Sequence, residues 1–275
     1  MCLAACLPEA LRDQPITRVG VGQSGAGVYT VGASHILKVS PALKLEVLRA
    51  AAAAGVAPAL VHVDEARNAI VMERVADPFP PLMMRDPQRA VALLGQTLRR
   101  VHDLPVPPGE PADPRGVLAG LMLPELPSWA RETIDRALEL RPPPRGALVF
   151  SHNDVNPSNL ALAGDRLVLF DWDTASPNDA TWDLATVAMF LRLSDDACTA
   201  LCRAHGDVTV DDRFVYERRL VAALCGALFI TLAKQTFEDP GLSMAECHQR
   251  MRTGALSLAT PEGRWAFGLA LVKAA

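Results

Sequence analysis

The chain has 275 residues and a formal net charge of −4, with half of its residues hydrophobic and 21% charged. That length can bury a full core in one large domain or in two lobes, and the composition is ordinary for a globular protein. The mild negative charge, without a basic stripe, argues against a nucleic-acid binder, and no apolar run has the length of a membrane span.

Leu3-Ala4-Ala5-Cys6 mimics a lipoprotein cleavage site, but no basic and apolar segments precede the cysteine, so a cytoplasmic protein is expected. Ile16 to Val21, Gly27 to Val31 and Ile36 to Val39 are short β-branched runs separated by glycine-containing turns, the pattern of an antiparallel meander. The helical run Lys44 to Ala54 stops at Gly55, and strands follow at Ala59 to Val63 and Ala69 to Val75. These elements form a small β-rich lobe with one helix, residues 1–75, and from residue 78 a larger, mainly helical lobe is expected.

Asp77 to Pro81 breaks the strand pattern, and apolar residues then recur at helical spacing from Pro87 to His102. Further helices are predicted near 116–122, 128–140, 180–192, 195–205, 212–236, 243–257 and 262–273. Between them lie a strand at Ala147 to Phe150, a polar loop at 151–159, and a strand at Leu167 to Phe170.

Gly20-Val21-Gly22-Gln23-Ser24-Gly25-Ala26-Gly27 fits Gly-x-Gly-x-x-Gly, yet a strand rather than a helix follows, so this is neither a dinucleotide fingerprint nor a Walker loop. It reads as a hairpin whose amides at Gly22, Ser24, Gly25 and Gly27 approach phosphates, or as a glycine-rich turn with no ligand. Only four of the 27 basic residues are lysines, and Lys38 closes a strand within reach of those phosphates. A buried ammonium there requires a partner, and Glu46 on the following helix is the best-placed acid.

Ser151-His152-Asn153-Asp154-Val155-Asn156-Pro157-Ser158-Asn159 and Asp171-Trp172-Asp173 carry the densest chemistry. Asp154 can accept a proton from an attacking hydroxyl, while Asn159 and Asp171 are hard oxygen ligands suited to sharing magnesium. His152 reads as a loop support bonded to backbone, and Asp173 as a residue beside the metal or the acceptor. Asp179 and Asp183 would cap or brace the helix that begins near 180, and Trp172 and Trp182 would pack. Cys198, Cys202 and His205 fall on one helix face, which reads as buried thiols rather than a metal site.

Together these stretches resemble the aminoglycoside phosphotransferase and choline kinase superfamily, small-molecule kinases with a protein-kinase-like α+β fold. The likeness rests on His152-x-Asp154 with Asn159, on Leu169 to Asp173, on Asn178-Asp179 with Trp182 to Ala185, and on the loop Gly22 to Tyr29. It implies ATP and Mg2+ as nucleotide and metal, with Asp154 as base and Asn159 and Asp171 as metal ligands. It further implies that Lys38, oriented by Glu46, holds the phosphates, and that the backbone of Glu73 and Val75 in a hinge near 72–77 pairs with adenine. Asp171-Trp172-Asp173 is similar to the Asp-Trp-Glu of bacterial choline and thiamine kinases. With the acidic run 171–183, that favours a cationic alcohol such as choline, ethanolamine or thiamine as acceptor. The glycine loop leans instead toward an aminoglycoside. A metal-dependent phosphohydrolase using His152, Asp154, Asp171 and Asp173, and a nucleotide-binding pseudokinase, are the readings from other classes.

Overall fold

The structure, a computed structural model, describes residues 2–19 and 26–275. Gly22, Ser24 and Gly25 of the predicted phosphate loop lie outside the described residues, as does the end of the first predicted strand.

Alternation along the small-lobe strands decides which side chains each face buries. The strands β1 (Ile16–Arg18), β2 (Gly27–Val31), β3 (His35–Val39), β4 (Leu60–Asp64) and β5 (Ala69–Glu73) form one antiparallel sheet in the order β1-β2-β3-β5-β4. Val31, Leu37, Ala69 and Val71 point to one face and pack against Cys6 and Leu7 of the N-terminal segment. Ile70 and Met72 point to the other, where helix α1 (Leu45–Ala53) contributes Val47, Leu48 and Ala51. Lys38 lies in register with Val28 and Ile70, which places it mid-sheet on the α1 side of the lobe.

The chain leaves the small lobe through Asp77–Pro78, where sequence periodicity ends. This pair nevertheless forms a short strand, β6, because an antiparallel partner waits in the large lobe. After α2 (Pro80–Arg85), α3 (Pro87–His102) starts where the Asp86 side chain accepts from the Arg89 N–H and Pro87 occupies the first helical turn. Helices α4 (Pro114–Gly120) and α5 (Ser128–Glu139) precede strand β7 (Leu148–Ser151).

Two strands not anticipated from the sequence follow. β8 (Leu160–Ala163) joins β6 and β9 (Arg166–Leu169) in a three-stranded sheet, and β10 (Ser176–Asp179) pairs with β7 as a two-stranded ribbon. Helices α6 (Ala180–Phe190), α7 (Asp195–His205), α8 (Asp212–Ala233), α9 (Met244–Arg252) and α10 (Pro261–Val272) complete the chain. No helix among the described residues is long and apolar enough to cross a membrane.

One apolar core runs from α1 through α3, α6 and α7 and so joins the lobes; a second is built by α4, α5, α8, α9 and α10. The α8–α10 crossing is set by glycine. A Cβ on Gly226 would lie 2.7 Å from the Gly268 carbonyl oxygen, and one on Gly268 would lie 2.8 Å from that of Gly226. The result is an α+β molecule with a β-sheet lobe, a larger helical lobe and a cleft between them, the bilobal protein-kinase-like architecture.

Candidate active site

The β7–β10 ribbon carries loop 151–159 to the cleft, and a single buried carboxylate fastens it there. Asp183, fully buried on α6, accepts from the His152 N–H at 2.8 Å, the Asn153 N–H at 2.8 Å and His102 Nε2 at 3.1 Å. Burial alone would raise its pKa, but the hydrogen bond and charge of His102, with the backbone donors, hold it below the ordinary carboxylate range. His102 Nδ1 in turn meets His205 Nε2 at 2.9 Å, and burial pushes the His205 pKa down to about 4. His102 thus bridges Asp183 and His205, one ring nitrogen to each.

Asn153 sits in the left-handed region at φ 64°, which asparagine tolerates. Its amide donates to Ser176 Oγ at 2.9 Å and its oxygen accepts from Asn178 Nδ2 at 2.7 Å. Asp154 then projects with both carboxylate oxygens engaged, Oδ1 by Asn156 Nδ2 at 2.8 Å and Oδ2 by Asn159 Nδ2 at 2.9 Å. Because the Asn159 nitrogen faces Asp154, the Asn159 oxygen is the atom left for a cation.

His152 is fully buried, with Nε2 bonded to the Phe170 carbonyl at 2.8 Å and Nδ1 accepting from the Asp154 N–H at 3.2 Å. It therefore ties the loop to the strand end that carries Asp171. Trp172 packs edge-on against His152 and Phe150 and donates to the Leu169 carbonyl at 2.9 Å, fixing the turn that follows.

Lys38 Nζ reaches across the cleft to Asp171 Oδ1 and Asp173 Oδ2, each at 2.8 Å. Glu46 is not its partner. That side chain is 85% exposed and pairs with Arg49 on its own helix, because it lies on the solvent face of α1. Burial pushes the carboxyl of Asp173 up, and the Lys38 ammonium offsets this only in part.

The cleft between the lobes encloses about 380 Å3. Its walls are apolar on the sheet side, through Ala26, Val28, Ile36, Ile70 and Met72, and polar at the mouth, through Lys38, Asn159 and Asp171. Val75 lines it, whereas the Glu73 N–H is engaged by the Ala59 carbonyl at 2.9 Å. Gly27 opens β2 beside this cleft.

The aspartates from 171 to 183 do not form an acidic surface. Asp171 and Asp173 hold Lys38, Asp179 caps α6 and accepts from the Gly146 N–H, and Asp183 lies under the loop. Trp172 and Trp182 are both buried, as are Cys198, Cys202 and His205. Among the described residues no group of three or more His, Cys, Asp or Glu is arranged to hold a metal.

Two residues of this centre went unread in the sequence. His102 gave no local signal, since its partners come from α6 and α7. Cys225 on α8 lies in the field of Asp154, and burial, with that carboxylate adding, pushes its thiol up to about 12.

A bilobal fold with an apolar cleft, a lysine on the sheet and a loop bearing Asp154 and Asn159 is a protein-kinase-like arrangement. The model of the phosphotransferase enzyme family, APH, matches residues 16–219, and the chain belongs to that family. Protein LicA of Haemophilus influenzae is 33% identical over 81 residues, a segment covering 30% of this chain and 27% of that protein. The crystal structure of a choline/ethanolamine kinase family protein from Mesorhizobium loti superposes with a TM-score of 0.63 at 22% identity, covering 96% of this chain and 94% of the other. An aminoglycoside-3'-phosphotransferase of type VIII gives 0.56 at 22% identity, over 77% and 93% of the two chains.

Proposed function

We propose that the chain transfers the terminal phosphoryl group of ATP to a hydroxyl of a small cationic alcohol of the choline, ethanolamine or thiamine class, with magnesium as cofactor. The observation that carries this reading is that Lys38, Asn159 and Asp171 line one apolar cleft, with Asp154 hydrogen-bonded to Asn159. The apolar walls suit an adenine ring, and the cations and oxygen donors suit a metal–phosphate group.

The donor set fits magnesium. Two hard oxygen donors, the amide oxygen of Asn159 and the carboxylate of Asp171, are what a cation that keeps several waters and takes phosphate oxygens asks of a protein. Bound magnesium screens phosphate charge and orients the transferring group. Asp154 accepts the proton of the acceptor hydroxyl, and the amides of Asn156 and Asn159 keep its carboxylate aimed. Lys38 contacts the phosphates, and Val75 borders the adenine end.

A metal-dependent hydrolase reading loses its histidine, because both ring nitrogens of His152 are engaged inside the loop. For the acceptor, the Asp-Trp-Asp segment supports the choline or thiamine class. The electrostatic support expected from residues 171–183 falls away, since those acids are engaged internally. The aminoglycoside class is the second reading, favoured by the glycine loop, and solved neighbours of both kinds share the fold.

The test is ADP release measured against choline, ethanolamine, thiamine, homoserine and several aminoglycosides. Asp154→Asn should lower turnover about 10²–10⁴-fold with nucleotide binding retained. Full activity in that variant would remove Asp154 from the mechanism, and phosphate release without any nucleotide would favour the hydrolase.

A further inference from the structure

Lysine is scarce in this chain, and both lysines that precede Lys234 cross from the small lobe to the segment 171–175. Lys38 Nζ donates to Asp171 and Asp173, and Lys44 Nζ donates to the Ala175 carbonyl at 2.7 Å. Helix α1, by contrast, offers Lys38 nothing. Its acid Glu46 faces solvent and shares Arg49 with Glu65.

The two carboxylates on Lys38 are not equivalent. Asp171 lines the cleft and its side chain is 38% exposed, whereas that of Asp173 is 12% exposed. A cation drawn to Asp171 competes with Lys38 for the same acid; Asp173 is the more enclosed of the two and holds Lys38 through Oδ2, its Oδ1 being without a partner among the described residues. Asp173 is also held rigidly. It lies in the short turn Trp172–Thr174, pinned by the buried Trp172 ring and by Thr174 Oγ1 donating to the His152 carbonyl at 3.0 Å. An ammonium on a flexible four-carbon stem delivers a defined charge only when something fixes it, and a buried one requires a counter-charge.

We infer that Asp173, rather than Glu46, is the positioning residue that holds Lys38 toward the nucleotide phosphates. This rests on the phosphotransferase reading. Its consequence is that the phosphate-binding lysine is oriented by the same short segment that presents Asp171, so one segment sets both charges of the phosphate site.

The experiment is calorimetric titration of ADP in the absence of magnesium, a readout independent of turnover. An acid that merely stood near the phosphates would repel ADP, and Asp173→Asn would then tighten binding. An acid that holds Lys38 has the opposite sign, and Asp173→Asn should weaken binding about tenfold, as expected for loss of a charge-assisted hydrogen bond. Asp173→Glu should restore most of that loss, and Glu46→Gln should stay within about twofold of wild type. In a Lys38→Met background, Asp173→Asn should cause no further weakening, since the two residues act as one unit.

Tighter or unchanged binding in Asp173→Asn, additive losses in the double variant, or a tenfold loss in Glu46→Gln would each overturn the inference. Should Asp173→Asn fail to fold, Asp173→Glu and Glu46→Gln still decide. If wild-type protein binds no ADP at all, the phosphotransferase reading falls, and the inference with it.

Discussion

Replacing Asp183 by asparagine exchanges one oxygen for an NH2 group and should damage both stability and turnover. Its two oxygens receive three donors: His152 N–H and His102 Nε2 on Oδ2, and Asn153 N–H on Oδ1. An asparagine can turn its oxygen toward the pair, but its NH2 then faces the Asn153 N–H, and two donors meet in a site closed to water. One charge-assisted bond is lost, worth roughly 1.5–3 kcal/mol, and a buried N–H is left unsatisfied at a further cost of about 1–3 kcal/mol.

The expected destabilisation is about 3–5 kcal/mol, in the range for breaking a buried charged network. That leaves a folded protein if the parent has an ordinary domain stability of roughly 5–15 kcal/mol. Urea unfolding followed by circular dichroism measures the first effect. The second follows from the loop: the His152–Asn153 peptide loses its anchor, and a displacement of about 1 Å at the base costs about 10²-fold in turnover. ADP affinity should hold within about threefold, because Lys38 and the cleft walls do not touch Asp183. A loss below about 1 kcal/mol with unchanged turnover would refute the claim that this carboxylate fastens the loop.

Gly226→Ala should lower the unfolding free energy by about 1–3 kcal/mol despite the better helix propensity of alanine, because its Cβ meets a backbone oxygen that cannot yield. A thermal melt at or above the wild-type midpoint would show that the α8–α10 crossing adjusts freely. His205 makes stability fall as pH drops. The folded state keeps it neutral with a pKa pushed down to about 4 from 6.5, so the unfolded chain binds a proton that the folded one lacks in that window. Relative to His205→Asn, wild type should lose up to about 3 kcal/mol between those values, and parallel pH–stability curves for the two would contradict this.

The sequence was most legible where chemistry is local. Pro87–His102 and Asp195–His205 were read with both ends in place, since Asp86 and Ser194 cap them and the apolar spacing between is helical. The helix predicted over 243–257 ends early, at Arg252, where Gly254 takes a positive φ of 75°. β10 was illegible for the opposite reason. Ser176-Pro177-Asn178-Asp179 has no strand character of its own, and becomes a strand because β7 offers a partner.

Asp154, Asn159, Asp171 and Lys38 could be singled out as candidates from the sequence because their residue types and spacing limit the chemistry they can perform. Which acid Lys38 meets could not, although Asp179 was read as a cap of the helix it does cap. Spacing along a helix placed Glu46 near the lysine, but a helix presents only part of its surface to the sheet, and Glu46 falls on the other side. The acidic run was expected to favour a cationic acceptor; in three dimensions it divides into a lysine clamp, a helix cap and a loop anchor. Residue type and local order singled out the candidate groups of the proposed site. The pairing of charges was decided by packing, because a buried charge takes the partner that the fold brings to it.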